Sequence, residues 1–175
     1  NSDFFKSANC WYQKIKSPIE LVAGTLRLSG EFDRPRRTIL ERSDQMIFMG
    51  QHLTNPPSVE GWHQGTEWID TGNLVERMNF ASEQVGNASN PGINHMIDRI
   101  VKASEGSADR GSLVDLCLSE LGAVSVSDET RAALVEFTER IQGVSNLNEG
   151  QNVRMRQDVS NVLRLAATTA EYQRS

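Results

Sequence analysis

Ile93, Met96, Ile97, Ile100 and Val101 recur at the i, i+3, i+4, i+7, i+8 spacing of one face of an α-helix. Related helical spacings return along the whole chain, each bounded by a capping residue, a proline or a glycine. No alternating run is long enough to make a half-buried strand; Leu121-Gly-Ala-Val-Ser-Val126 comes nearest and is too short to imply a sheet. The pattern predicts an all-α fold, an irregular bundle of about seven helices forming one domain over residues 1–175. One long ordered Pro/Gly/Trp loop, residues 53–71, interrupts it between the second helix and the third.

The helix starts are readable one by one. Ser17-Pro18-Ile19-Glu20 offers a cap, a proline at the first helical position and a capping-box glutamate. The helix that follows carries Ile19, Val22, Ala23 and Leu26 on one stripe and Leu21 and Leu28 on another, which predicts cover on two sides and an interior position. Gly30 ends it. A second helix, about 36–51, spreads Ile39, Leu40, Met46, Ile47 and Met49 around its circumference and is expected to be buried as well. Asp70 or Thr71 caps a third, about 72–85, striped by Leu74, Met78, Ala81 and Val85. Asn90-Pro91 starts the fourth. Ser112 with Asp115 opens a fifth, striped by Leu113, Leu116, Cys117 and Leu121 and stopped by Gly122. Ser127-Asp-Glu starts a sixth, with Leu134, Phe137 and Ile141 inward, and a last helix of about 151–167 carries Met155, Val159, Val162, Leu163 and Ala166.

Composition narrows the function classes. A net charge of −5 argues against a nucleic-acid surface, which needs a clustered positive field. The densest basic group, Arg34-Pro35-Arg36-Arg37, reads as a solvated helix start rather than an anion site. No apolar run approaches the roughly 18 residues of a membrane helix. Cys10 and Cys117 lack the paired short spacing of a zinc site, and Cys117 lies on an apolar stripe as a buried inert thiol; a Cys10–Cys117 disulfide requires export.

The loop is the one stretch whose composition is not generic. From Gly50 to Gly72 it holds the adjacent prolines Pro56 and Pro57, four glycines and two tryptophans, Trp62 and Trp68. Indoles flanking a Gly-rich turn are expected to plug the loop into the core. The competing use is a sugar site, in which Trp62 and Trp68 stack on pyranose rings beside Glu60, Glu67 and Asp70. Arg77, next to Asn79, is expected to reach back and bond the loop's carbonyls, with anion binding as the alternative. Gly50 and Gly61 mark positions closed to a Cβ, and Gln51, Pro56, Pro57 and Asn79 complete the structural set. His52, Glu60, His63, Glu67 and Asp70 match no metal-ligand motif, so no metal and no cofactor is assigned. Neither a nucleophile elbow nor a phosphate-cradling loop is present, and no catalytic residue is assigned.

Met49-Gly-Gln-His-Leu-Thr-Asn-Pro-Pro-Ser-Val-Glu-Gly-Trp62, followed by Trp68-Ile-Asp-Thr-Gly-Asn-Leu-Val-Glu-Arg-Met-Asn-Phe80, resembles the signature of the bacterial family termed domain of unknown function 1800. Lys16-Ser-Pro-Ile-Glu-Leu21 is similar to the family's Lys-x-Pro-x-Glu-Leu segment, and Leu163-Arg-Leu through Glu171-Tyr-Gln173 to its terminal segment. His52 and His63 stand where relatives often carry other residues, and Ala170 replaces a usual proline. The resemblance implies a C-terminal portion of a longer domain, export to the periplasm or beyond, and as partners another exported protein or an extracellular glycan. It carries over no activity. The expected role is non-catalytic binding or assembly; the alternative is a glycan-active or other hydrolase domain sharing its site with a preceding part. An enzyme would gather polar groups in a deep pocket, and a binding module would show a shallow apolar patch over buried indoles. A piece that only completes its parent's core would leave a broad apolar face exposed.

Overall fold

A computed structural model describes residues 13–32, 37–104, 109–122, 125–142 and 151–174, together with Asp3. Within them the fold is all-α, with seven α-helices: α1 (Pro18–Ser29), α2 (Ile39–Phe48), α3 (Thr71–Gly86), α4 (Pro91–Ser104), α5 (Arg110–Glu120), α6 (Asp128–Gln142) and α7 (Gln151–Ala166). A short 3-10 helix, Gly65–Ile69, precedes α3. No strand occurs among the described residues; pairing is limited to the isolated bridges Ile15–Arg174 and Ser58–Gly61. The aromatic start with Cys10, the Arg34-Pro35-Arg36 group and the 143–150 loop lie outside the described residues.

The caps explain where the elements begin. Ser17 and Glu20 close the expected box on α1, with the Ser17 N–H donating to Glu20 Oε2 at 2.8 Å, and Gly30 ends the helix at φ 65°. Asp70 accepts from the Asn73 N–H at 2.9 Å and so caps α3. Ser127 caps α6 through the Thr130 N–H. At α5 the expectation of Ser112 as cap is corrected: Asp109 accepts from both the Ser112 N–H and its hydroxyl, and Asp115 instead makes a two-pronged bond to Arg131 of α6 at 2.8 Å.

Helix α7 lies against α3, α4, α5 and α6, and α1 lies across α3 and α4. The core is made by the stripes their sequences announce. Ile93, Met96, Ile97 and Ile100 of α4 and Val159, Val162, Leu163 and Ala166 of α7 are all buried. Cys117 of α5 joins them, and burial pushes its thiol up to about 12, which leaves it protonated and inert.

Two helices differ from expectation. On α1, Glu20, Ala23, Gly24 and Arg27 face outward, so it is covered on one side rather than two. Helix α2 is not an interior helix: Leu40 and Phe48 are 68% and 65% exposed, and the helix turns in Arg42 and Met46, with Met49 just beyond it. Arg42 explains the rotation, since its guanidinium bonds both Glu31 carboxylate oxygens, at 2.9 and 3.1 Å, and lies over the Phe80 ring. An ionic anchor inside forces apolar side chains out. On α3 the buried stripe is Arg77, Phe80, Ala81, Gln84 and Val85, while Leu74 and Met78 are half-buried.

Helices α1 and α4 approach closely at Gly92. A Cβ added to Gly92 would lie 2.2 Å from the Leu28 carbonyl oxygen and 2.8 Å from the Ser29 carbonyl carbon, both fixed by the helix end. Gly24, on the outer side of α1, has nothing within 4 Å. Gly92→Ala is therefore expected to destabilise the protein by about 1–3 kcal/mol through overpacking. Gly24→Ala is expected to stabilise it by roughly 0.5–1 kcal/mol through helix propensity. Denaturant unfolding midpoints of the two variants, displaced in opposite directions, check both.

Candidate functional site

The signature loop is ordered mainly by its own bonds. The Trp62 indole N–H donates to the His52 carbonyl at 3.1 Å, the Asn55 N–H donates to the same residue's carbonyl, and the Ser58 hydroxyl accepts from the Glu60 N–H. Gln64 and Glu67 cap the 3-10 helix, whose Trp68 is the indole that enters the interior, at 4% exposed. Trp62 is half-buried. The two tryptophans thus divide, one a peg and the other a clasp across the loop. Residues 52–60, with Pro56, Pro57 and Glu60, are exposed.

The polar candidates are committed to local work. His63 Nδ1 stands 3.1 Å from Glu67 Oε2, and its ring meets Trp68 edge-on with centroids 6.2 Å apart. Asp70 is the α3 cap. Among the described residues no group of three or more His, Cys, Asp or Glu is placed to hold a metal ion. Of the two loop indoles, Trp62 alone keeps part of its surface in solvent. Gly61 adopts φ 102° in open space, so conformation and not crowding closes it to a side chain; Gly50, at φ 92°, also faces the Asn73 amide at 3.0 Å. Asn79 is on the exposed side of α3.

Arg77 does something other than expected. It does not bond the loop's carbonyls; fully buried, it donates from Nε to Gln173 Oε1 at 3.0 Å and from Nη2 to the Lys16 carbonyl at 2.7 Å. The reason lies in where α3 points it, towards the two ends of the chain rather than back along the loop. Around it the Lys16 N–H donates to the Gln173 carbonyl, and Lys16 Nζ donates to the Tyr172 carbonyl while standing 4.7 Å over the Tyr172 ring. The Tyr172 hydroxyl pairs with Thr25 of α1 at 3.0 Å. Gln51, the buried residue at the head of the loop, accepts from the Ile19 N–H at 2.8 Å.

Lys16 and Ile19, Gln51, Arg77, and Tyr172 with Gln173, four segments far apart in sequence, therefore meet around buried polar side chains. Hydrophobic pattern missed this meeting, because Gln51, Arg77 and Gln173 read as surface residues. Burial brings the Arg77 guanidinium down to about 10, and the Lys16 ammonium is lowered by burial and by the Arg77 charge, against a raising effect of Glu20. Arg77 Nη1 and Gln173 Nε2 are buried without a protein partner.

The family model described as protein of unknown function, DUF1800, matches residues 1–174. The chain is a DUF1800 protein. No curated protein and no solved structure matches it. The segments on which the family likeness rests are, in this DUF1800 chain, largely those that build the cluster and the loop.

Two substitution pairs separate pegs from ornaments. Trp68→Ala is expected to cost about 3–5 kcal/mol, as for other buried aromatic truncations, and Trp62→Ala less than about 1.5 kcal/mol, the worth of one hydrogen bond. Arg77→Ala is expected to cost on the order of 3 kcal/mol, and Arg77→Lys to rescue little, because a single ammonium cannot take both directions of the planar fork. Urea titrations give all four values; an Arg77→Lys protein as stable as the parent would refute the cluster's role.

Proposed function

We propose that the chain is a non-catalytic protein-binding module of an exported bacterial protein, working in the periplasm or outside the cell. The observation that carries this reading is the uneven placement of apolar surface. Among the described residues, every large exposed apolar side chain except Val153 lies between Ile39 and Val75, on α2, the signature loop and the first turns of α3. Single exposed apolar residues are ordinary on any soluble protein; a concentration of them on one stretch is the mark of an interaction surface. The polar groups of the loop favour the same reading, since Glu67, Asp70 and His63 are used in capping and pairing. Export rests on the family likeness alone.

The glycan-active alternative draws on one feature, the half-exposed Trp62 ring beside Glu60. A photo-crosslinking residue in place of Phe48, introduced in the producing bacterium, tests both. Illumination is expected to give a discrete protein adduct at position 48 and none at position 153. Absence of any protein adduct, or glycan-array binding that Trp62→Ala abolishes, would overturn the proposal.

A further inference from the structure

On α2, Leu40, Asp44, Ile47 and Phe48 stand at i, i+4, i+7 and i+8, which is one helix face. That face is outward: Arg42, Met46 and Met49 take the opposite, buried side. Exposed charge on α2 itself is negative, with Arg37 exposed just before the helix. Histidines aside, each exposed ionisable side chain between residues 38 and 76 is a carboxylate, namely Glu41, Asp44, Glu60, Glu67, Asp70 and Glu76. The single base in the stretch, Arg42, is neutralised inside by Glu31.

We infer that the outer face of α2 docks a helix of a second, different protein whose apolar stripe is flanked by Lys or Arg. The inference rests on the binding-module reading and adds the partner's chemistry. A helix laid along α2 covers Leu40, Ile47 and Phe48, and basic residues beside its stripe meet Asp44 and Glu41, which fixes register and excludes wrong partners. A second copy of this chain is disfavoured by the same seam. Antiparallel packing of α2 on its own copy about the helix centre sets Leu40 against Phe48 and places Asp44 against Asp44, burying like charges. An anionic membrane surface is repelled by the same carboxylates.

The test uses the whole gene product and two synthetic amphipathic helices with one leucine stripe, flanked by lysines in one and by glutamates in the other. Isothermal calorimetry is expected to show the lysine peptide binding at least about tenfold more tightly than the glutamate peptide, with the advantage shrinking at high salt. Phe48→Ser and Asp44→Lys are each expected to weaken it about tenfold, the loss of one good contact. Both are exposed positions, and circular dichroism verifies that the variants fold. Glu136→Lys, on α6 and away from the face, is expected to leave binding unchanged. Equal binding of the two peptides, no binding of either, or equal damage from Glu136→Lys and Asp44→Lys overturns the inference. So does sedimentation showing a dimer that Asp44→Asn tightens, which would assign the face to a second copy. If position 48 yields a protein adduct while the peptides bind alike, the charge assignment fails and the binding-module reading stands. If no adduct forms, both fail.

Discussion

A guanidinium that is fully buried and bonded to two neutral oxygens is an uncomfortable object, and the fold of this chain depends on one. Arg77 reaches the Lys16 carbonyl with one arm and Gln173 with another. Desolvation opposes the charge, as its lowered pKa records. What keeps it there is the alternative: without it, a carbonyl at one end of the described chain and an amide at the other would both be left unpaired in the interior. Its two bonds span 61 and 96 residues, and the Lys16 Nζ bond to the Tyr172 carbonyl beside them spans 156, a closure that is costly to lose once the rest has folded around it. The Lys16–Gln173 backbone pair, the Ile15–Arg174 bridge and the Thr25–Tyr172 hydroxyl pair all lie within reach of that tie.

The same tie places the loop. Gln51 accepts from the first turn of α1, which the Lys16 carbonyl and the Ser17 cap have already positioned, so the loop departs from a fixed point. Trp68 fixes its other end. Between those posts the backbone is held by Trp62, Ser58 and its own carbonyls, without the core beneath it. That is how a segment with few buried side chains stays ordered while presenting its surface to solvent.

Sequence made most of the helices legible because their apolar positions are redundant. On α4 and α7 four or more apolar residues agree on one face, and the polar residues buried with them, Ser104 and Ser160, are small and carry no charge. Helix α2 is not legible for the opposite reason: apolar residues surround it, and periodicity alone does not tell that Arg42 goes in and Leu40 out. On α3 the buried stripe includes Arg77 and Gln84, two residues that a hydrophobic count assigns to water. Of the loop anchors, Trp68 follows the expectation and Trp62 half departs from it. The cluster itself carried a faint signal, in that the segments most like the family stand at both ends and in the middle of the chain, where shared structure requires them to meet.

The two conspicuous departures from a simple amphipathic pattern therefore differ in kind. Arg77 is a polar residue inside, and its hydrogen bonds account for it within the chain. The exposed apolar residues of α2 are not explained by contacts within the described structure, since Arg42, Met46 and Met49 already suffice to seat the helix. Rotating α2 to bury Leu40 and Phe48 would bring Asp44 and Glu41 inward with them and expel Arg42 from Glu31. Nothing about the fold demanded that arrangement of acids among apolar side chains. A surface that keeps large apolar groups in water, and spaces carboxylates between them, is better accounted for by recognition than by folding.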